Sequence, residues 1–380
     1  MSRLKNILLG VFATVLFLPA LQQKTNFIHS GRLYGWFTTA PNPTLTLKKW
    51  LDGEYCEPKL KYFNDNIGFR PDLIRLSSQL DYSLFTKFRS NKIILDTDLS
   101  LLTPEFVDPY LGKDYMGYNA IAGNVTKLKA IQDTLEHLGK TMVLVYTPCK
   151  AYFYEPAIPK ENKGGRTGPD NYQTYLRLAD SLGLKQVDFN AWFLSLKNTS
   201  PEVLFPKQGY HWSMYGAQIA ADSLTRYIEH RRNILMPRAE WKSVEHSTKP
   251  RDSDNDLALT LNLIYPICRE NFAYPKIAYG QDRTRTKPKV IYLGDSFLFQ
   301  WDVDGYMDAT NTDWQIWYYF NSLYKTHDPA GETNNPTAAT DWMKTLLTSD
   351  VLVIMYTPHN LNELGDGFIE KAYDHFFPKS

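Results

Sequence analysis

Three apolar runs of strand length restrict what this chain can fold into: Thr141-Met-Val-Leu-Val-Tyr-Thr147, Val290-Ile-Tyr-Leu293 and Val351-Leu-Val-Ile-Met355. A strand that is apolar at nearly every position is buried on both faces, as in a parallel sheet covered by helices, whereas a half-exposed strand alternates. The intervening segments agree. Ala122 to Leu138 has helical spacing and stops at Gly139, Tyr172 to Leu182 does the same before Gly183 and a short strand Gln186-Val-Asp-Phe189, and a helical Trp342-Met-Lys-Thr-Leu-Leu347 precedes the last run. Helix, glycine and buried strand in repetition form an α/β layer fold. From Asn26 to about Tyr115 strand character is scarce, and Asp65-Asn-Ile-Gly-Phe-Arg-Pro71 reads as a turn opening a helix with Leu73, Ile74, Leu76 and Leu80 near one face. Between Asn233 and Pro288 charge is dense; Arg251-Asp-Ser-Asp-Asn-Asp256 reads as a loop and Asp282-Arg-Thr-Arg-Thr-Lys-Pro288 as a solvated connection. No repeat of solenoid or propeller period is present.

The amino terminus adds a second constraint. Arg3 and Lys5 precede the apolar stretch from Ile7 to Leu21, which ends at Gln22, Gln23 and Lys24. That is the pattern of an export signal, at the short end of what spans a bilayer. Only Ala20 hints at a cleavage site, because Leu18 is too large for a small-x-small pattern, so an uncleaved anchor is favoured over a cleaved signal peptide, and the body lies outside the cytoplasm in both cases. The expected organisation is a signal segment over 1–25, a helical and loop extension over 26–117, and an α/β domain over 118–380.

A formal charge of +1 from 42 basic and 41 acidic residues sets up no field for polyanions, which argues against nucleic acid as a partner. Cys56, Cys149 and Cys268 have neither close pairing nor metal-ligand spacing, and Cys149 reads as a small buried residue. No metal or tightly bound cofactor is implied. The 25 Tyr and 9 Trp suit core and loop anchors first, and a surface that stacks on sugar rings second.

The chemistry centres on Gly294-Asp-Ser296, which follows the buried run Val290 to Leu293 directly. A serine at the end of such a strand, before an apolar helix, sits at the carboxyl edge of the sheet, where α/β folds hold ligands, in the manner of a nucleophile elbow. Gly294 allows a sharp backbone path, and amides at the start of the next helix face a developing oxyanion. The base is assigned to His211 in Gly209-Tyr-His-Trp-Ser-Met-Tyr-Gly-Ala217, on a loop before a helix beginning near Ser213; His359, in Tyr356-Thr-Pro-His-Asn360, is the alternative base. Asn360 and Asn321 are oxyanion candidates beside Gly294. Asp295 and Asp188 are the carboxylates considered for orienting the imidazole.

Together these motifs resemble the SGNH/GDSL hydrolase-like proteins of the AlgX and AlgJ type, which O-acetylate exported polysaccharides. The likeness covers roughly Tyr118 to Phe377, with the His-Trp-Ser block ahead of the Gly-Asp-Ser block. It extends to Tyr146-Thr-Pro-Cys-Lys150 with Glu155-Pro-Ala-Ile-Pro159, similar to the family's Pro-x-Lys segment, and to Asp65-Asn-Ile-Gly-Phe-Arg70, similar to its Phe-Arg signature. The resemblance implies a three-layer α/β/α SGNH-like, flavodoxin-like parallel sheet with a mostly helical amino-terminal extension. It also implies Ser296 as nucleophile, His211 as base, a polysaccharide acceptor, and a membrane-bound O-acyltransferase as acetyl donor, since no acetyl-CoA site is recognisable. The family's block is Asp-x-His-Trp, and this chain has Gly209 where the aspartate stands. A Ser-His dyad, a triad completed from elsewhere, and a silent glycan-binding relative therefore all remain open, as does a carbohydrate acetylesterase of the same fold.

Overall fold

A computed structural model describes residues 2–35, 38–90, 92–155, 158, 168–280, 284–325 and 341–378. Pro156, Ala157 and Pro159 of the Pro-x-Lys likeness, and Asp282 and Arg283 of the charged connection, lie outside the described residues. The chain divides into two compact units, Met1–Asn91 with Asp256–Ile267, and Lys92–Asn255 with Cys268–Ser380.

The strands of the larger unit are β1 (Ile94–Leu95), β2 (Leu101–Leu102), β3 (Thr141–Tyr146), β4 (Gln186–Asp188), β5 (Ala239–Ser247), β6 (Phe272–Tyr279), β7 (Lys289–Gly294), β8 (Asp313–Tyr318), β9 (Ser322–Lys325) and β10 (Val351–Tyr356). Six of them form one sheet in the order β4-β3-β10-β7-β8-β9. Five run parallel, and β9 turns back against β8. The apolar runs explain this placement, because β3, β7 and β10 take the central positions where both faces are covered.

Alternate residues face opposite layers. Met142, Leu144, Ile291, Leu293, Leu352 and Ile354 pack beneath the helices Tyr118–His137, Asn171–Ser181 and Phe368–Phe376. Val143, Val145, Val290, Tyr292, Val353 and Met355 pack beneath Phe189–Leu196 and Met214–Arg232. The expected three-layer α/β/α arrangement is therefore present. Gly139 (φ 71°) and Gly183 (φ 66°) end their helices in the left-handed conformation that glycine adopts without steric cost.

Strand β8 and the ribbon β5-β6 were not expected from the sequence. Pro275 sits inside β6, which a two-stranded ribbon tolerates because both strands are edges, and the mostly exposed β5 carries Glu, Lys and His. Its alternation is too weak to stand out in a charged region.

In the smaller unit the apolar amino terminus forms one helix, Ser2–Thr25, of which Arg3–Thr25 is long and apolar enough to cross a membrane. The expected turn and helix appear as Arg70–Phe85, entered through Phe69 at φ 64° and braced by Arg70 Nη2 at 3.4 Å from Asp65 Oδ1. Leu73, Leu76 and Leu80 do line one side of that helix, yet all three are exposed.

Candidate active site

Ser296 stands where β7 leaves the sheet, and each residue around it has a local reason for its position. A Cβ on Gly294 would lie 1.9 Å from the Met355 carbonyl oxygen of β10, so the glycine is required by close strand approach; its φ is not in the left-handed region. Asp295 is buried. Its Oδ1 accepts from the Phe297 amide at 3.2 Å, and its Oδ2 accepts from the Thr357 amide at 2.7 Å and from Asn360 Nδ2 at 3.0 Å. The carboxylate thus ties the serine turn to the chain leaving β10. Phe297 and Leu298 follow as buried anchors of the short helical turn that Ser296 begins, which leaves only the serine half-exposed.

The second half comes from the His-Trp-Ser block. Trp212 has no exposed surface and packs on Phe297 and Trp301 at ring distances of 5.5 and 5.4 Å. Ser213 caps the helix Met214–Arg232, accepting from the Gly216 amide at 2.9 Å and donating to the Val203 carbonyl at 2.5 Å. With both neighbours fixed, His211 projects from the core edge, and its Nε2 lies 2.9 Å from Ser296 Oγ. That is the nucleophile-base distance needed for general-base activation.

The loop carrying His211 is pinned by Lys150, which the sequence marks only through the Pro-x-Lys likeness. Lys150 is wholly buried beneath the rings of Tyr154 and Phe205, and its Nζ donates to the Lys207 carbonyl at 2.8 Å and the Gly209 carbonyl at 2.5 Å. Gly209 has its own constraint. A Cβ there would meet the carbonyl oxygens of Ser253 and Asp254 at 2.6 and 2.9 Å, so the 251–254 turn fills the space into which an aspartate at 209 would grow. Neighbouring Cys149 is buried, and burial pushes its thiol up to about 12, consistent with an inert packing role.

The remaining candidates are dispersed differently. His359 lies in the turn after β10, with Nε2 3.0 Å from the Tyr210 hydroxyl and its ring edge-on to Phe106 at 4.7 Å. Burial pushes its imidazole down to about 4, with His211 adding to this and Asp295 opposing it. Asn360 donates to Asp295 and, at 3.3 Å, to the Tyr319 hydroxyl, so both amide hydrogens are engaged. Asn321 is exposed in the β8-β9 turn. Asp188 closes β4, three strands from β7 and thus about 14 Å away by strand spacing; there it caps Phe189–Leu196 and accepts from the Tyr172 hydroxyl at 2.7 Å.

Tyr319 was missed in the sequence. It and Phe320 hold φ 46° and 45°, unusual for aromatic residues, while the Tyr319 amide donates to the Gly294 carbonyl at 3.0 Å. Nothing in Tyr-Tyr-Phe-Asn announces two left-handed positions. Among the described residues no cluster of metal-ligating side chains is present. Beside Ser296 and His211 opens a pocket of about 210 Å³, walled by Met214, Phe299 and Val303 and edged by Asp252, Ser253 and Gln300.

Comparison with known proteins gives the same likeness. Residues 110–290 match the family model described as ALGX: SGNH hydrolase-like domain, acetyltransferase AlgX. The chain is 23% identical over 260 residues to a probable alginate O-acetylase AlgJ of Pseudomonas fluorescens, covering 65% of this chain and 59% of that protein. It is 22% identical over 223 residues to the Azotobacter vinelandii counterpart, covering 55% and 54%. The chain therefore spans less than two thirds of these relatives. Among solved structures, the O-acetyltransferase domain of Pseudomonas putida AlgJ is similar with a TM-score of 0.49 and 18% identity, over 74% of this chain and 99% of that one. Pseudomonas aeruginosa AlgX gives 0.45 and 14%, over 76% and 71%. The resemblance to AlgX- and AlgJ-type SGNH hydrolase-like proteins holds over the matched residues.

Proposed function

We propose that the larger unit is a serine-dependent O-acyltransferase of the cell envelope, which moves an acetyl group through Ser296 to a hydroxyl of an exported polysaccharide. The observation that carries this reading is the 2.9 Å approach of His211 Nε2 to Ser296 Oγ at the carboxyl edge of the sheet. Ser296 Oγ attacks the donor carbonyl while His211 takes its proton. The bond to the donor oxygen breaks, and His211 returns the proton to that leaving group. The sugar hydroxyl oxygen then attacks the acyl carbon while His211 removes its proton, and as the bond to Ser296 Oγ breaks His211 returns that proton to the serine oxygen. The Ser296 amide at the start of the turn is the first oxyanion donor in this scheme, because the amide of Asn360 is already held by Asp295 and Tyr319.

The helix Ser2–Thr25 anchors the chain, with the catalytic unit on the extracytoplasmic side, and a membrane-bound O-acyltransferase presents the acetyl group. A family match that includes the His-Trp-Ser block, together with the named relatives, favours polysaccharide acetylation over other acyl chemistry. The test is product analysis with an acetyl ester donor, in the presence and absence of glycan. Acetylated sugar in the presence of glycan is expected; free acetate alone in both conditions would leave an esterase and reject transfer.

A further inference from the structure

Apolar residues exposed singly need no explanation, but the helix Arg70–Phe85 is amphipathic in the wrong sense for a helix facing water. Apart from Ser83, its exposed residues are all apolar: Leu73, Leu76, Leu80, Leu84 and Phe85. The four leucines recur at the three- and four-residue spacing of one helix face. The polar side chains point the other way and are engaged by the chain itself. Arg75 Nη2 donates to the Gly31 and Arg32 carbonyls at 2.9 and 2.7 Å, Asp72 accepts from the Ser30 hydroxyl, and Gln79 Oε1 accepts from the Ile264 and Tyr265 amides at 3.1 and 3.0 Å.

What lies against the leucines follows from where this helix starts. A Cβ on Gly68 would lie 2.1 Å from the Pro19 carbonyl oxygen and 2.7 Å from the Gln23 amide nitrogen, so the turn into the helix is packed on the last turns of the apolar helix Ser2–Thr25. The chain leaving that apolar helix closes the junction: the Ile28 amide donates to Gln22 Oε1 at 3.1 Å, and Phe27 packs edge-on to Phe69 at 5.8 Å. At a rise of 1.5 Å per residue the apolar span is about 35 Å long, against about 30 Å of bilayer hydrocarbon. A helix that begins against Pro19 and Gln23 therefore begins at headgroup level. Nearby elements of the same unit carry the residue types of a membrane interface, since Cys56–Asn66 buries none of its residues and exposes Leu60 and Phe63, and exposed Trp50 follows Lys48 and Lys49.

We propose that Arg70–Phe85 is a second membrane contact, lying in the extracytoplasmic interface of the bilayer that Ser2–Thr25 crosses, with Leu73, Leu76, Leu80 and Leu84 at the boundary of headgroups and acyl chains. The proposal rests on the reading of Ser2–Thr25 as an anchor. It adds a contact that removes the swivel a single spanning helix leaves to the smaller unit.

The test places the whole protein in phosphatidylcholine vesicles, in a Cys56→Ser, Cys268→Ser background that leaves only buried Cys149, with an NBD label on Leu80→Cys or on Val15→Cys. Nitroxide lipids labelled near the headgroup are expected to quench the Leu80 label most, those labelled deep in the acyl chain the Val15 label most, and iodide in the water neither. Adding Leu76→Glu and Leu84→Glu, both at exposed positions, is expected to return the Leu80 label to iodide without moving the Val15 label. A Leu80 label open to iodide before those changes, one shielded from iodide yet out of reach of every nitroxide and so covered by protein, or one still quenched by lipid after them, would overturn the interfacial helix and leave the anchor standing if the Val15 label is quenched. Neither label quenched would overturn both.

Discussion

A methyl group at residue 209 has nowhere to go, since two backbone carbonyl oxygens of the 251–254 turn lie within 2.9 Å of its position. The departure from the family's Asp-x-His-Trp block is therefore built into the packing. Gly209→Ala is expected to lower stability by about 1–3 kcal/mol in urea titration and to slow Ser296 acylation by moving the His211 loop; an unchanged midpoint would refute the packing argument. His359 gives a second residue-scale expectation. Its unfolded ring protonates near 6.5, and the buried ring only near about 4. Between those values the unfolded chain binds more protons, so this group's contribution to stability falls as pH drops through that window. Glu270 and Asp304, pushed up to about 7 by burial, act in the opposite sense. The comparison must therefore be wild type against His359→Phe, in which the carboxylate contributions cancel. Wild type is expected to lose stability relative to the variant between pH 6.5 and pH 4; a constant difference in denaturant midpoint would contradict this. These features are invisible in sequence, because Gly209 reads only as a missing carboxylate and His359 as an alternative base at the carboxyl edge, with nothing to mark its ring as buried.

At the scale of elements, the site is where three chain exits converge: β3 supplies Lys150, β7 supplies Ser296, and β10 supplies Thr357, His359 and Asn360. Continuous apolar runs made β3, β7 and β10 legible, and glycine stops made the helices legible, because burial on both faces and left-handed caps are local demands. The β5-β6 ribbon was not legible, since charge, proline and weak alternation hide its strands, whereas β8 carries neither proline nor dense charge and its place beside β7 is decided by residues distant in sequence. The same distinction separates Ser296 and His211, each flagged by its own motif, from Lys150, whose hold on the Gly209 carbonyl joins segments 59 residues apart. Lys150→Met leaves two carbonyls without this donor, at a cost of roughly 2–5 kcal/mol. Acylation per folded molecule is expected to fall further than the folded fraction does. Unchanged acylation in the folded population would show that Lys150 does not position His211.

On the scale of the whole molecule, an apolar helix able to cross a membrane belongs to one compact unit, and the serine-histidine pair to the other. The apolar amino-terminal stretch was readable from composition, whereas the place of residues 256–267 in the first unit was not, because it joins segments distant in sequence. The central claim is that Ser296, activated by His211, carries the acyl group. It is tested most directly by intact mass after incubation with 4-nitrophenyl acetate. One acetyl adduct is expected on the wild-type protein, none on Ser296→Ala, and formation slowed about 10²–10⁴-fold on His211→Asn. An equal adduct on wild type and Ser296→Ala, or none on either with the protein folded, would contradict it.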